Sequence, residues 1–179
     1  MKINGVEFDA IVAVPAVGKS YVCDNYQNFI DVDEERLRIK YYIPEGITRA
    51  QREATKGSKH WEKRPNYAEN FEKRMQELAK TNKIFLAAPH PETIDFFTKN
   101  NIKFCFVYTS YECKEELINR MKQRGNSQEF INANANAFDD YYVKNRQENQ
   151  SVLHYELKPG QYLLDVLHKA GAELKRKQI

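Results

Sequence analysis

Five short apolar runs punctuate the chain: Phe8–Val14, Asn28–Val32, Lys83–Ala88, Lys103–Thr109 and Ser151–Leu157. Runs of this length bounded by turn residues predict strands buried on both faces. Elsewhere apolar positions recur every three or four residues, at Tyr67, Phe71, Met75 and Leu78, then at Cys113, Leu117 and Met121. The same spacing returns at Phe130, Ala137, Phe138 and Tyr141, and again at Leu163, Val166, Leu167 and Ala170. It lays one apolar stripe along each helix, and such stripes face a core. Asn66 is expected to cap the first of these helices and Gly171 to end the last. Strands that alternate with helices imply right-handed βαβ units, so the expected fold is α/β, three layers (α/β/α) around a five-stranded, mostly parallel sheet. Ligands then belong at the carboxyl ends of the strands.

At 179 residues, 41% hydrophobic and 30% charged, the chain has the make-up of one globular domain over residues 1–179, which sets aside disorder and a disulfide scaffold. No apolar run reaches the roughly 18 residues of a membrane span, and MKINGVEFDA lacks the basic and apolar regions of a signal peptide, so a cytoplasmic protein without membrane contact is expected. Cys23, Cys105 and Cys113 form no CxxC pair and have no histidine at ligand spacing, which suits free thiols rather than zinc.

A net charge of +3 does not suggest a nucleic-acid binder. Its placement says more. Between Arg36 and Pro65 the bases Arg36, Arg38, Lys40, Arg49, Arg52, Lys56, Lys59, Lys63 and Arg64 face only Glu45, Glu53 and Glu62. With Tyr41, Tyr42 and Trp61 interleaved, this stretch suits an anionic, planar ligand such as a nucleotide, or else a solvated face. It is also the least periodic part of the chain, and residues 34–65 are read as an insertion over the functional edge of the sheet.

The strongest chemical signal is Ala13-Val14-Pro15-Ala16-Val17-Gly18-Lys19-Ser20, the tail of the phosphate-binding pattern GxxxxGK[ST] with Ala13 in place of the first glycine. A strand precedes it and a helix follows. Such a loop wraps backbone N–H groups around the phosphates, extends Lys19 to their oxygens and offers the Ser20 hydroxyl to Mg²⁺. Asp31 and Asp33 close the second strand, where alternation puts both carboxylates on one face beside that loop. Carboxylates there can hold Mg²⁺ through water or accept a proton; the other use of Asp33 is to cap a helix beginning near Glu34.

Residues 13–20 resemble the GxPGxGK[ST] loop of adenylate-kinase-like nucleoside monophosphate kinases, matching at Pro15, Gly18, Lys19 and Ser20 and departing at Ala13 and Ala16. The resemblance extends loosely over most of the chain and is to small phage or bacterial members. It implies a P-loop fold that uses ATP and Mg²⁺, with residues Pro15, Ala16, Val17, Gly18, Lys19, Ser20 and Tyr21 around the nucleotide. It also implies that Ser20, Asp31 and Asp33 serve the metal and that Asp33 orients the acceptor.

Glu116, Arg120 and Arg124 share a helical face, and Gly125 is expected to end that helix. Related kinases carry arginines here, entering a lid, which would span residues 123–130. Forked guanidinium donors suit the charge of a phosphoryl group in flight, whereas the plainer use of this face is a surface ladder pairing Glu116 with Arg120. In these kinases the acceptor region corresponds to the segment holding Arg49, Arg52 and Arg64. His90, just past the third strand, either contacts substrate or is a loop residue without a role. No Asp ends that strand, a departure from many P-loop ATPases that leaves Mg²⁺ to Ser20 and the second-strand aspartates.

The expected activity is transfer of the ATP γ-phosphoryl group to a small acceptor, foremost a nucleoside or deoxynucleoside monophosphate, with Lys19, Asp33, Arg120 and Arg124 as the catalytic set. Another hydroxylated or polynucleotide acceptor, and a nucleotide-binding regulatory or assembly protein without turnover, are the alternatives. A guanine-reading NKxD is absent, since Asn82-Lys83 is followed by Ile84-Phe85.

Overall fold

The computed structural model describes residues 2–3, 6–33, 46–55, 66–148 and 152–177; for Lys2, Ile3, Val6, Arg49 and residues 139–148 it describes the backbone alone. Five parallel strands form the main sheet: β3 (Ala10–Ala13), β4 (Phe29–Asp31), β5 (Ile84–Ala87), β6 (Phe104–Thr109) and β7 (His154–Leu157), in the order β4-β5-β3-β6-β7. A short antiparallel pair, β1 (Lys2–Ile3) and β2 (Val6–Glu7), precedes it and was not among the five predicted runs.

The central strand explains the layering. All four residues of β3 are buried, Ile11 and Ala13 in one core and Ala10 and Val12 in the other, as the two-residue side-chain period requires. The second core is closed by α3 (Tyr67–Ala79) and α4 (Pro91–Lys99), through Tyr67, Phe71, Met75, Leu78, Phe96 and Phe97. The first is closed by α1 (Lys19–Asn25), α5 (Lys114–Gln123), α6 (Gln128–Glu148) and α7 (Leu163–Lys169), through Val22, Leu117, Phe138, Leu163 and Leu167. The described residues of the basic segment include α2 (Arg49–Thr55).

The helix stops follow local chemistry. Gly125, at φ +79°, lets the chain turn after α5, and the Asn126 and Gly125 N–H groups donate to Met121 and Lys122 carbonyls, a complete Schellman cap. Gly171 ends α7 the same way, with Ala172 donating to Leu167 and Gly171 to His168. Asn66 does precede α3, but its side chain makes no capping hydrogen bond, so the predicted cap is positional only. Among the described residues no helix is long and apolar enough to cross a membrane. Cys105 and Cys113 are buried, and burial pushes the Cys105 thiol up to about 12, so it is inert at neutral pH; Cys23 is only half-buried.

The strand order places the site. β3 lies between β5 and β6; the chain leaves it through α1 for β4 on one side and later crosses from β5 to β6 on the other, so the direction of winding reverses beside β3 and a crevice opens beyond its carboxyl end. Residues 14–18 fill that position.

Candidate functional site

The loop between β3 and α1 is held on both sides. Val14 donates to Val107 in β6, and the Val17 carbonyl accepts from Leu163 at the start of α7. Val17 is wholly buried, so of the residues expected around the nucleotide this one is an anchor in the core. Gly18 stands at φ +99°, a conformation costly for any residue with a Cβ, and begins α1. Tyr21, in the first turn of α1, is 57% exposed.

The two alanine departures differ physically. Ala13 is an ordinary buried strand residue, and a glycine there would gain nothing from its freedom. Ala16 stands at φ +63°, so the loop keeps a left-handed turn despite a Cβ that disfavours it. Ala16→Gly should therefore raise stability by about 0.5–1 kcal/mol, the relieved strain less the greater freedom of glycine in the unfolded chain. Thermal unfolding tests this, with a rise of about 1–4 °C expected. A fall would show that the turn is not strained.

Lys19 is 8% exposed, and its ammonium donates to the Ala13 carbonyl at 2.7 Å and the Val14 carbonyl at 3.2 Å while lying 3.7 Å from Asp33 Oδ2. The cation is thus kept inside the curl of the loop by backbone oxygens. The Ser20 hydroxyl donates to Asp31 Oδ2 at 3.3 Å. Asp31 Oδ1 accepts from the Asp33 N–H, and Asp33 Oδ1 accepts from the Ala88 N–H just past β5, each at 3.0 Å.

Both aspartates therefore reach the loop, but not by strand alternation. β4 ends at Asp31, and Val32 and Asp33 have already turned into helical conformation. The Asp31 side chain takes the N–H two residues on, while the Asp33 carboxylate spans to Lys19 and Ala88; the helix expected from Glu34 lies outside the described residues. The physical reason is that a helical turn swings Asp33 back over the strand end, where Ala88, just past β5, offers it an N–H group.

Arg120 is fixed by three groups. Its guanidinium pairs with Glu116, donates to the Gln161 carbonyl at 3.0 Å and stacks 3.8 Å from the centre of the Tyr162 ring. The Tyr162 ring lies 3.6 Å from where a Cβ on Gly18 would be, so the helix carrying Arg120 is tied to the phosphate loop through the β7–α7 connection. The Glu116–Arg120 ladder and a tie to the loop coexist. Glu116 also accepts from the Gly160 N–H at 3.0 and 3.2 Å, which, with Arg120, holds its carboxyl below the usual carboxylate range.

A depressed carboxylate stabilises the fold above its ordinary titration range and loses that contribution as the pH falls through its folded value. Glu116→Gln should accordingly melt a few degrees below wild type at neutral pH, a modest gap because a third of the side chain is exposed, and the gap should close on acidification. Equal melting temperatures at neutral pH would contradict the assignment.

Arg124 closes α5, and residues 123–130 comprise the end of that helix, a short turn and the start of α6, where Ser127 Oγ accepts from the Phe130 N–H at 3.2 Å. Arg124 pairs with Glu53 at 3.0 Å across 71 positions of sequence. His90 is the N-cap of α4, its carbonyl accepting from Thr93 and Ile94, and Pro91 begins that helix. Arg52 is half-buried on α2; Arg64, Tyr41, Tyr42 and Trp61 lie outside the described residues, as does the Arg49 side chain.

Sequence reasoning did not single out Glu53, Gln161 or Tyr162. An acid isolated among bases was the one signal for Glu53; nothing local marks the other two. An apolar hollow beside Val14 and Pro15, between β6, α5 and α6, was also unforeseen; Leu117, Met121 and Phe138 line it.

No family model matches the chain, and no curated protein matches it. Among solved structures it is similar to a gluconokinase from Sinorhizobium meliloti 1021, at 14% identity and a TM-score of 0.48, over 90% of this chain and 87% of that one. A likeness of that degree carries no inference about activity.

Proposed function

We propose that this protein is an ATP-dependent phosphotransferase that passes the γ-phosphoryl group to a small acceptor, foremost a nucleoside or deoxynucleoside monophosphate. One observation carries the proposal: Lys19, Ser20, Asp31 and Asp33 converge on a single loop at the switch point of a parallel sheet. A sequestered ammonium beside a backbone loop suits phosphate oxygens, and the carbonyls that hold it are weaker partners than a triphosphate would be.

The donor set also suits Mg²⁺. Ser20 Oγ and Asp31 are hard oxygen ligands already in contact, and among the described residues no cluster of three His, Cys, Asp or Glu side chains forms a protein-only metal cage. That is the arrangement expected of an ion bound by one or two carboxylates, water and substrate phosphates. Such an ion would neutralise phosphate charge. Asp33, oriented by Ala88 beside Lys19, orients the acceptor: a nucleoside monophosphate attacks through a phosphate oxygen with no hydroxyl proton to remove, whereas a hydroxyl acceptor would pass its proton to Asp33. Arg120 and Arg124 supply donors for charge that builds on the moving group.

The acceptor class is supported by the sequence between Arg36 and Pro65, whose bases and aromatic rings suit a phosphate joined to a planar group. The protein should consume ATP only when supplied with such an acceptor. Measuring ADP formation across a panel of nucleoside and deoxynucleoside monophosphates and small sugar acids tests this. ATP that binds but is never consumed with any of them would favour a nucleotide-binding regulatory protein instead.

A further inference from the structure

Glu53 is the most buried acid among the described residues, 4% exposed, although it sits in a basic segment. Its Oε1 accepts from Arg124 Nη2 at 3.0 Å and its Oε2 from Asn126 Nδ2 at 2.7 Å. Placing a carboxylate so deep is unfavourable unless charged and amide donors compensate it, and both do so from one turn. That turn is itself rigid, because the Schellman cap at Gly125 fixes the backbone on either side.

The arrangement bears on phosphoryl transfer. Arg124 lies one helical turn, about 6 Å of rise, beyond Arg120 on the same face. Arg120 is tied through Gln161 and Tyr162 to the phosphate loop. The Arg124 side chain remains 35% exposed, so only part of its donor fork is turned toward Glu53. We propose that Glu53 is a positioning residue for the transfer reaction: it holds the Arg124 guanidinium in one orientation and ties the acceptor-side helix α2 to the arginine helix. The proposal rests on the phosphotransferase function proposed above. An arginine ordered in advance loses less rotamer freedom when the phosphoryl group arrives, an effect of about tenfold in affinity for the transferring state.

The isosteric test is Glu53→Gln. Asn126 Oδ1 is buried and, among the described residues, has no hydrogen-bond partner. A flipped Asn126 amide can therefore accept from the new carboxamide nitrogen while the carboxamide oxygen at position 53 still accepts from Arg124, so the turn should fold with the charge removed. The readout needs no acceptor: dissociation constants for ADP with Mg²⁺, alone and with aluminium fluoride as a planar phosphoryl mimic. Wild type, Glu53→Gln, Arg124→Ala and the double variant are compared, each with its melting temperature.

Glu53→Gln should leave ADP affinity within about twofold and weaken the ADP–aluminium fluoride complex by about tenfold. In the Arg124→Ala background it should add no further loss, because the residue acts through Arg124. If Glu53→Gln does not fold, Glu53→Asp, which keeps the charge one methylene back, is measured instead, with the same loss and the same lack of addition expected. Additive losses, an unchanged mimic complex, or a wild type that does not distinguish the mimic from ADP alone would each overturn the positioning role. A wild type that binds no ADP would instead sink the phosphotransferase proposal itself.

Discussion

Lys19→Met is expected to lower phosphoryl transfer by about 10³-fold, the upper end of the loss for one preorganised charged or polar group at the reacting phosphates. Methionine fills the volume of the buried lysine stem, so the core beneath the loop is retained. What disappears is the ammonium that the Ala13 and Val14 carbonyls hold, together with its attraction for Asp33 at 3.7 Å. The affinity for ATP should fall with turnover, because the charge meets phosphate in the ground state as well. Steady-state kinetics beside a melting curve checks this. A folded variant that turns over normally would show that the loop does not carry the triphosphate.

Asp33→Asn has the second largest expected effect, a loss of about 10²-fold in turnover with ATP affinity nearly unchanged. Asparagine still accepts the Ala88 N–H, so the contact between the end of β4 and β5 survives. The negative charge that faces Lys19 and orients the acceptor does not, and neither does the capacity to take a proton from a hydroxyl acceptor. A variant that melts earlier but turns over as wild type does would make Asp33 a purely structural bridge.

The layers of the fold were legible because burial on both sides of β3 writes a continuous apolar run, and burial on one side of α3 writes Tyr67, Phe71, Met75 and Leu78 at helical spacing. The phosphate loop was legible for a different reason: Gly18, Lys19 and Ser20 are adjacent in sequence. Asp33 was partly legible. Its nearness to the loop was foreseen, but alternation gave the wrong geometric cause, since a pattern of period two cannot report that a strand has stopped at Asp31. Glu53, Gln161 and Tyr162 were not legible, because each acts through a partner at least 40 positions away and no local periodicity encodes such pairings.

The departures at Ala13 and Ala16 carry the same lesson. Sequence comparison treats them alike, whereas backbone conformation separates a neutral strand position from a strained turn. Ala16 at φ +63° shows that the loop keeps its curl without the glycine, at a cost small enough for the contacts of Val14 and Val17 to offset.

Calorimetric titration of ATP into the protein, with and without Mg²⁺, tests the triphosphate site most directly. The structure predicts one ATP bound per chain, tighter binding with Mg²⁺ because Ser20 and Asp31 then share an ion with the phosphates, and binding sharply weakened in Lys19→Met. Wild type that binds no ATP, or a Lys19→Met variant that binds it equally well, would contradict the assignment.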